Sequence, residues 1–331
     1  MRGYPTGMLR AAIEFLQSQQ ERDGTWREFV TLAGEGVDWP TGFVAMQLAE
    51  AGADAAVLDR AADALASTQR DDGGWGYHSC VPTDADSTAW VMLFLASRAG
   101  RNDHVERAAA CLARHQDSDT GGLPTYFEPG PIRSYMGLGR HVSVDGWCSP
   151  HVEVTATAGR AFAAVDERAR AAAAWGFVRS RQRDDGSWHS YWWASPFYPT
   201  LQAVELACVL GEQDGIGRAV TWLLEAQRDD GGWGAPVSAF ATALALSVLV
   251  RAGERGSAAE RAIERLASLQ DSDGGWPGHA CFRIPPPGMV EPEHFTKWRV
   301  GKPGTGVVVR DRNRLFTTAA CVGALARSGA A

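Results

Sequence analysis

Leu65-Ala66-Ser67-Thr68-Gln69-Arg70-Asp71-Asp72-Gly73-Gly74-Trp75 is the stretch on which the architecture turns, because its pattern recurs along the whole chain. A segment rich in alanine and leucine runs into a glutamine, an Asp-Gly turn follows, and a tryptophan stands six residues after the glutamine. The same grammar returns at Gln20 to Trp26, Gln182 to Trp188, Gln227 to Trp233 and Gln270 to Trp276. A further copy, from Gln116, carries Leu123 in the tryptophan place. One such turn is commonplace, but six in register mark a repeat architecture.

Each copy predicts a helix ending at the glutamine and a turn where glycine accepts positive φ and aspartate bonds nearby amides. A second helix follows, at about Thr41–Ala51, Asp84–Ser97, Pro150–Ala164, Thr200–Leu210, Ser238–Arg251 and Thr317–Arg327. The second helices are apolar around their circumference, as in Phe240-Ala241-Thr242-Ala243-Leu244-Ala245-Leu246, and such helices are enclosed by protein. The first helices keep a charged face, for example Glu260, Arg261, Glu264 and Arg265. The prediction is an all-α fold, an α/α toroid (α6/α6 barrel) of six helix pairs. An open solenoid or an unclosed bundle is the alternative. Closure is favoured because the last copy lacks the polar cap that a solenoid end needs. Glutamine is expected to tie a helix end to the next turn, and the indole to pack between units.

The reading is one domain over residues 1–331, with rim insertions at about 126–148 and 277–315. Both insertions fall between turn and inner helix, so both lie on the rim that holds the inner helices' amino ends. Long loops gathered at one mouth of a rigid scaffold are where binding usually resides.

With 331 residues, 45% of them hydrophobic and 21% charged, the chain fits an ordinary globular protein. A net charge of −7 argues against nucleic acid or an anionic membrane as partner. No apolar run has the length of a membrane span or the form of a signal peptide. Six cysteines scattered over the chain form neither a disulfide framework nor zinc pairs, and the expected location is cytoplasmic. Thirteen tryptophans supply planar, electron-rich surfaces that serve a core or line a pocket for cations.

Pro-Thr opens three predicted inner helices, at Pro40-Thr41, Pro82-Thr83 and Pro199-Thr200, and threonine is a natural N-cap. Aligned on that pair, Asp86 falls opposite Val44 and Ala203, an acid where its counterparts are apolar. Two readings are open. Thr83 and Asp86 form a capping box that holds the carboxylate ionised. Alternatively, burial and the nearby charge of Asp84 outweigh the helix dipole, and Asp86 keeps its proton.

The glutamine–tryptophan repeats resemble those of the prenyltransferase and squalene-cyclase superfamily over nearly the whole chain. Asp84-Ala85-Asp86-Ser87-Thr88-Ala89 resembles the Asp-X-Asp-Asp-Thr-Ala motif of class II terpene cyclases, with Ser87 in place of the last aspartate. The resemblance implies that Asp86 protonates a terminal alkene or an epoxide and that Asp84 orients and polarises it. Ser87 would hold the acid's proton, a weaker arrangement suited to an epoxide. It further implies a terpene or meroterpene cyclase that turns a linear isoprenoid into a cyclic isomer without a cofactor. Magnesium enters only if the substrate carries a diphosphate. Relatives of this kind generally react at the junction of two helical domains. This barrel therefore either encloses the pocket alone or has it completed by a second copy or subunit.

Trp90, four residues beyond Asp86 on the same helix face, is the first candidate for a cation-stabilising ring. Trp147, Trp192, Trp193, Phe197, Tyr198 and Phe240 are further aromatic candidates on the rim or on inner helices. His151 and Glu153 are candidates for the closing base, and Glu205 is an enclosed acid that is either structural or part of the site. In the sixth insertion Arg283, Lys297, Arg299, Lys302, Arg310, Arg312 and Arg314 could grip a diphosphate. A zinc-dependent, prenyltransferase-like reading would use Asp311 and Cys321 with His279 or His294. A lipid-binding or scaffold barrel that lost the acid chemistry is the non-enzymatic alternative.

Overall fold

The computed structural model describes residues 7–301 and 303–329. Its helices run, in chain order, α1 (Met8–Ser18), α2 (Asp38–Glu50), α3 (Ala55–Thr68), α4 (Ala85–Ala99), α5 (Asp103–His115), α6 (Pro129–Tyr135), α7 (Val152–Ala164), α8 (Arg168–Arg179), α9 (Phe197–Leu210), α10 (Ile216–Ala226), α11 (Ala239–Arg251), α12 (Ser257–Leu269) and α13 (Leu315–Ser328). Helices α2, α4, α7, α9, α11 and α13 are buried on nearly every face and form the inner ring. The ring is closed, since α2 packs on α4 and on α13. The outer ring is α1, α3, α5, α8, α10 and α12. The fold is the α/α toroid, with α2 and α9 starting at Asp38 and Phe197, upstream of the expected Thr41 and Thr200.

The repeat residues act as two clamps. Each glutamine donates Nε2 to a carbonyl of its own turn and to a carbonyl at the start of the next outer helix. Gln69 bonds Gly73 O and His104 O, both at 2.8 Å. Gln270 bonds Gly274 O at 2.8 Å and Met8 O at 3.0 Å, so the last copy is fastened to the first. Each repeat tryptophan donates its indole N–H to a carbonyl left over at the end of the preceding outer helix, as Trp75 does to Leu65 O at 2.8 Å. At Gly73 φ is +86°, and a Cβ there would lie 2.4 Å from Arg107 O, so the next outer helix admits no side chain at that place.

A third clamp was not legible beforehand. The fourth residue of every inner helix is threonine, and Oγ1 of Thr41, Thr88, Thr155, Thr200, Thr242 and Thr318 accepts the backbone N–H of the repeat tryptophan or leucine. Thr88 is therefore the counterpart of Thr41 and Thr200, and the alignment through Thr83 is wrong. In the true register Asp86 is the second residue of its helix. It stands opposite Trp39, Glu153, Tyr198, Phe240 and Phe316, not Val44 and Ala203.

Two long connections lead into inner helices, residues 126–148 before α7 and residues 277–315 before α13. The first contains α6. The second folds as a sheet of β3 (Ala280–Ile284), β5 (Val307–Arg310) and β4 (Arg299–Val300) in that order, antiparallel then parallel. A smaller excursion in the first unit forms the hairpin of β1 (Glu28–Thr31) and β2 (Gly34–Gly36).

Candidate active site

Asp84 is the N-cap of α4. Its Oδ1 accepts the Ser87 backbone N–H and its Oδ2 accepts the Ser87 hydroxyl, each at 2.7 Å. With the cap supplied by Asp84, the capping box is not formed: Thr83 Oγ1 and Asp86 Oδ1 are both buried without a hydrogen-bond partner. Ser87 spends its hydroxyl on Asp84, so it does not hold the proton of Asp86. Burial, then the carboxyls of Asp84 and Glu153, push Asp86 well above the usual carboxylate range. The indole N–H of Trp39, itself buried without a partner, pulls the other way. Asp84, also buried, is raised to about 6, against the opposing pull of the Ser87 donors and Arg70.

Asp84, Asp86 and Ser87 line a cavity of about 620 Å³, counting its open mouth. Trp39, Tyr77, Thr125, Tyr126, Trp147, Trp192 and Phe282 supply much of the wall. Leu32 and Ala33 of the hairpin turn, Ile132 and Met136 of the first insertion, and Ile284 of β3 complete it. The rim excursions thus build the pocket over the acidic start of α4.

Of the aromatic candidates, Trp147 and Trp192 reach the cavity. Trp90 lies beneath it, donating Nε1 to the Tyr198 hydroxyl at 3.0 Å, with the Arg160 guanidinium 5.4 Å from its ring centre. Trp193 stacks on Tyr198 at 4.0 Å and packs on Phe240 at 5.3 Å, and these rings help plug the barrel centre. Phe197 turns outward onto Trp222 of α10, and so is not a pocket residue.

His151 and Glu153 stand behind the wall. Burial lowers His151 to about 3, so its imidazole is neutral. Nε2 bonds Gly146 O at 2.9 Å, and Nδ1 faces the Thr125 hydroxyl at 3.3 Å. That hydroxyl accepts the Trp192 indole N–H at 2.8 Å. Glu153 Oε1 accepts Ser190 Oγ, Tyr191 N and Trp192 N at 2.7–2.9 Å, which fixes the loop that carries Trp192.

Other candidates fall elsewhere. Glu205 belongs to an ion network at the far end of the barrel with Arg160, Arg251 and Arg327, whose charges lower its pKa despite full burial. Arg314 is held by Asp271 and Asp273, Arg310 bonds Gly278 O, and the exposed Arg312 is fastened through its backbone to Glu28. None of the three lines the cavity. Lys302 lies outside the described residues. Asp311 spends both oxygens on the Phe316 and Thr317 amides, and Cys321 Sγ reaches Ala239 O. Among the described residues no three His, Cys, Asp or Glu side chains are grouped to hold a metal ion.

Sequence reasoning missed Trp39, Tyr77, Tyr126 and Phe282. For Trp39 the signal was its place two residues before an inner-helix threonine, which the false Pro-Thr register hid. For the others no local pattern pointed inward.

The family description "Squalene-hopene cyclase C-terminal domain" matches residues 4–136 and 148–282. The chain is similar to the solved type II terpene cyclase MstE from Scytonema, bound to geranylgeranyl dihydroxybenzoate as substrate. The two share 30% identity with a TM-score of 0.89 over 98% of this chain and 97% of that one. A solved protein from Actinoplanes is 31% identical, with a TM-score of 0.90 over 98% and 99%. A drimenyl diphosphate synthase from Streptomyces showdoensis is 31% identical over 235 residues, 65% of this chain and 40% of that protein. The chain thus spans about two-fifths of the length of that curated relative. Its repeats, its closed double ring and these matches agree, and the chain belongs to the squalene-hopene cyclase family of the class II terpene cyclase superfamily.

Proposed function

We propose that this protein is a protonation-initiated terpene or meroterpene cyclase with Asp86 as its acid. The carrying observation is that Asp86 faces an apolar, aromatic-walled cavity with an oxygen that no amide claims, because Asp84 has taken over the helix cap. A carboxyl so placed holds its proton to a pH above the usual carboxylate range and can give it up to carbon. The similarity to MstE, solved with a prenylated dihydroxybenzoate, supports including substrates of that type.

In the proposed reaction the Asp86 O–H bond breaks and a C–H bond forms at the terminal alkene carbon, or an O–H bond forms at an epoxide oxygen. The neighbouring tertiary carbon becomes cationic and Asp86 an anion. Internal double bonds attack in turn, each consuming one π bond and forming one C–C bond. Loss of a proton from the last cation restores a double bond and leaves the formula unchanged. Thr125 takes that proton as it passes its own to Nδ1 of the neutral His151 imidazole, and the proton returns to Asp86 through solvent once product has left. Trp39, Trp192 and Phe282 offer ring faces to the cation, and the walls exclude water that would capture it. Glu153 takes part as a positioning residue, through the loop that carries Trp192.

Incubation of the wild type with linear prenyl substrates is expected to give a product of unchanged mass. Asp86→Asn is expected to lower turnover by roughly 10²–10⁴-fold or more while substrate still binds. Full activity in that variant would refute the assignment.

A further inference from the structure

The second residues of the six inner helices, Trp39, Asp86, Glu153, Tyr198, Phe240 and Phe316, form one tier across the barrel. Residues four further on share their faces, one turn or about 5.4 Å deeper. Phe43, Trp90, Gln202, Leu244 and Ala320 of that deeper tier line a second cavity of about 290 Å³. A partition of aromatic rings separates it from the cavity of the acid. The ring of Phe316 is wholly buried, stacks on Phe43 at 3.7 Å and meets Trp39 at 5.0 Å. Trp39 walls the upper cavity, Phe43 walls the lower one, and Phe316 lines neither. A single phenyl group therefore stands between wall and wall.

The column on α13 is also the least filled below. Under Trp39, Asp86, Glu153, Tyr198 and Phe240 stand Phe43, Trp90, Thr157, Gln202 and Leu244, whereas under Phe316 stands only the methyl group of Ala320. Because this floor is level with the acid, the depth to which a chain descends decides which of its double bonds meets Asp86. Resting on the cyclase reading above, we propose that Phe316 is the stop that sets substrate register, halting the terminal isoprenyl group at Asp86. Without the phenyl group, a chain descends into the space over Ala320 and presents its second double bond to the acid. The proton then adds there, and the next internal double bond attacks the tertiary cation so formed. Loss of a proton from the last cation leaves the mass unchanged. One ring fewer closes, and the terminal isopropylidene group survives.

Two readouts test the stop. Farnesol, geranylgeraniol and geranylfarnesol would be titrated by tryptophan fluorescence in Asp86→Asn, to suppress turnover, with and without Phe316→Ala. Loss of the phenyl group is expected to raise the affinity for the longest prenol relative to the shortest by at least about tenfold, since each newly buried methylene is worth roughly fourfold. Ala320→Leu added to Phe316→Ala refills the column and should restore the original ratio. With Asp86 intact, Phe316→Ala acting on a linear prenyl substrate that the wild type cyclises is expected to give a product with one ring fewer. NMR would show it by the retained isopropylidene methyl groups. Phe316→Leu, a smaller deletion, is read in the same way where the alanine variant does not fold. Prenol affinities that change in parallel, or a variant product identical to that of the wild type, would overturn the stop. A wild type that yields no Asp86-dependent product would instead sink the cyclase reading, and the affinity ratio would still decide whether Phe316 limits depth.

Discussion

Trp39 and Asp86 are the second residues of neighbouring inner helices, and each carries a buried polar atom without a hydrogen bond. Their proximity matters most after proton transfer, when Asp86 is an anion in an apolar wall and the indole N–H is a donor near it. The protonated acid is the working form, so the rate should fall as pH rises through its elevated pKa. Asp84→Asn keeps a good N-cap but removes the like charge. It should lower the Asp86 pKa and move the alkaline limb of the rate profile to lower pH. Trp39→Phe removes the group that favours the anion and should move that limb to higher pH while lowering kcat. Rate–pH profiles of both variants check this, and displacement in the same direction would remove Asp86 as the titrating acid.

The helix pair is the unit that the sequence displayed well. Glutamine, turn and tryptophan stand at nearly fixed spacing because they belong to one compact corner, so Gln69 and Trp75 could be read together. The threonine clamp belongs to the same corner but comes after a loop whose length differs in every copy, which leaves Trp75–Thr88 and Trp276–Thr318 without a common interval. A conspicuous Pro-Thr pair filled that gap and gave a false register, and it is the Asp-X-Asp motif that singles out Asp86 independently of that register. The cavity wall was less legible still. Tyr126 and Trp147 come from the first insertion and Phe282 from the second, and the two insertions meet only when the ring closes. The two threonines of the second unit offer a direct check. Thr88→Val leaves the Trp75 amide unpaired in the core and should cost about 1–3 kcal/mol. Thr83→Val removes a buried hydroxyl that has no partner, and should be neutral or stabilising. Chemical denaturation of both variants would read the difference, and a larger loss from Thr83→Val would restore the first alignment.

Across the whole barrel the two ends hold acids in opposite states, and this ties stability to pH with opposite signs. Asp86 is raised in the folded protein, so its contribution is fully present below its unfolded value near pH 4 and is lost progressively as pH rises toward its folded pKa. Glu205 is lowered by Arg160, Arg327 and Arg251, so its contribution is present above its unfolded value and is lost as pH falls through the folded one. Asp86→Asn should therefore melt at a higher temperature than the wild type at pH 8, with the gain shrinking toward pH 4. Such a gain fits an acid kept for chemistry at a cost to stability. Glu205→Gln should lose about 3–5 kcal/mol at neutral pH, because it leaves three arginines short of their shared anion. That deficit should narrow in acid, while activity per folded molecule stays within about twofold. Melting curves at pH 4 and pH 8, with assays well below the melting range, separate the two ends. If Glu205→Gln abolished turnover without lowering the melting temperature, the far-end network would have to be counted as part of the reacting site.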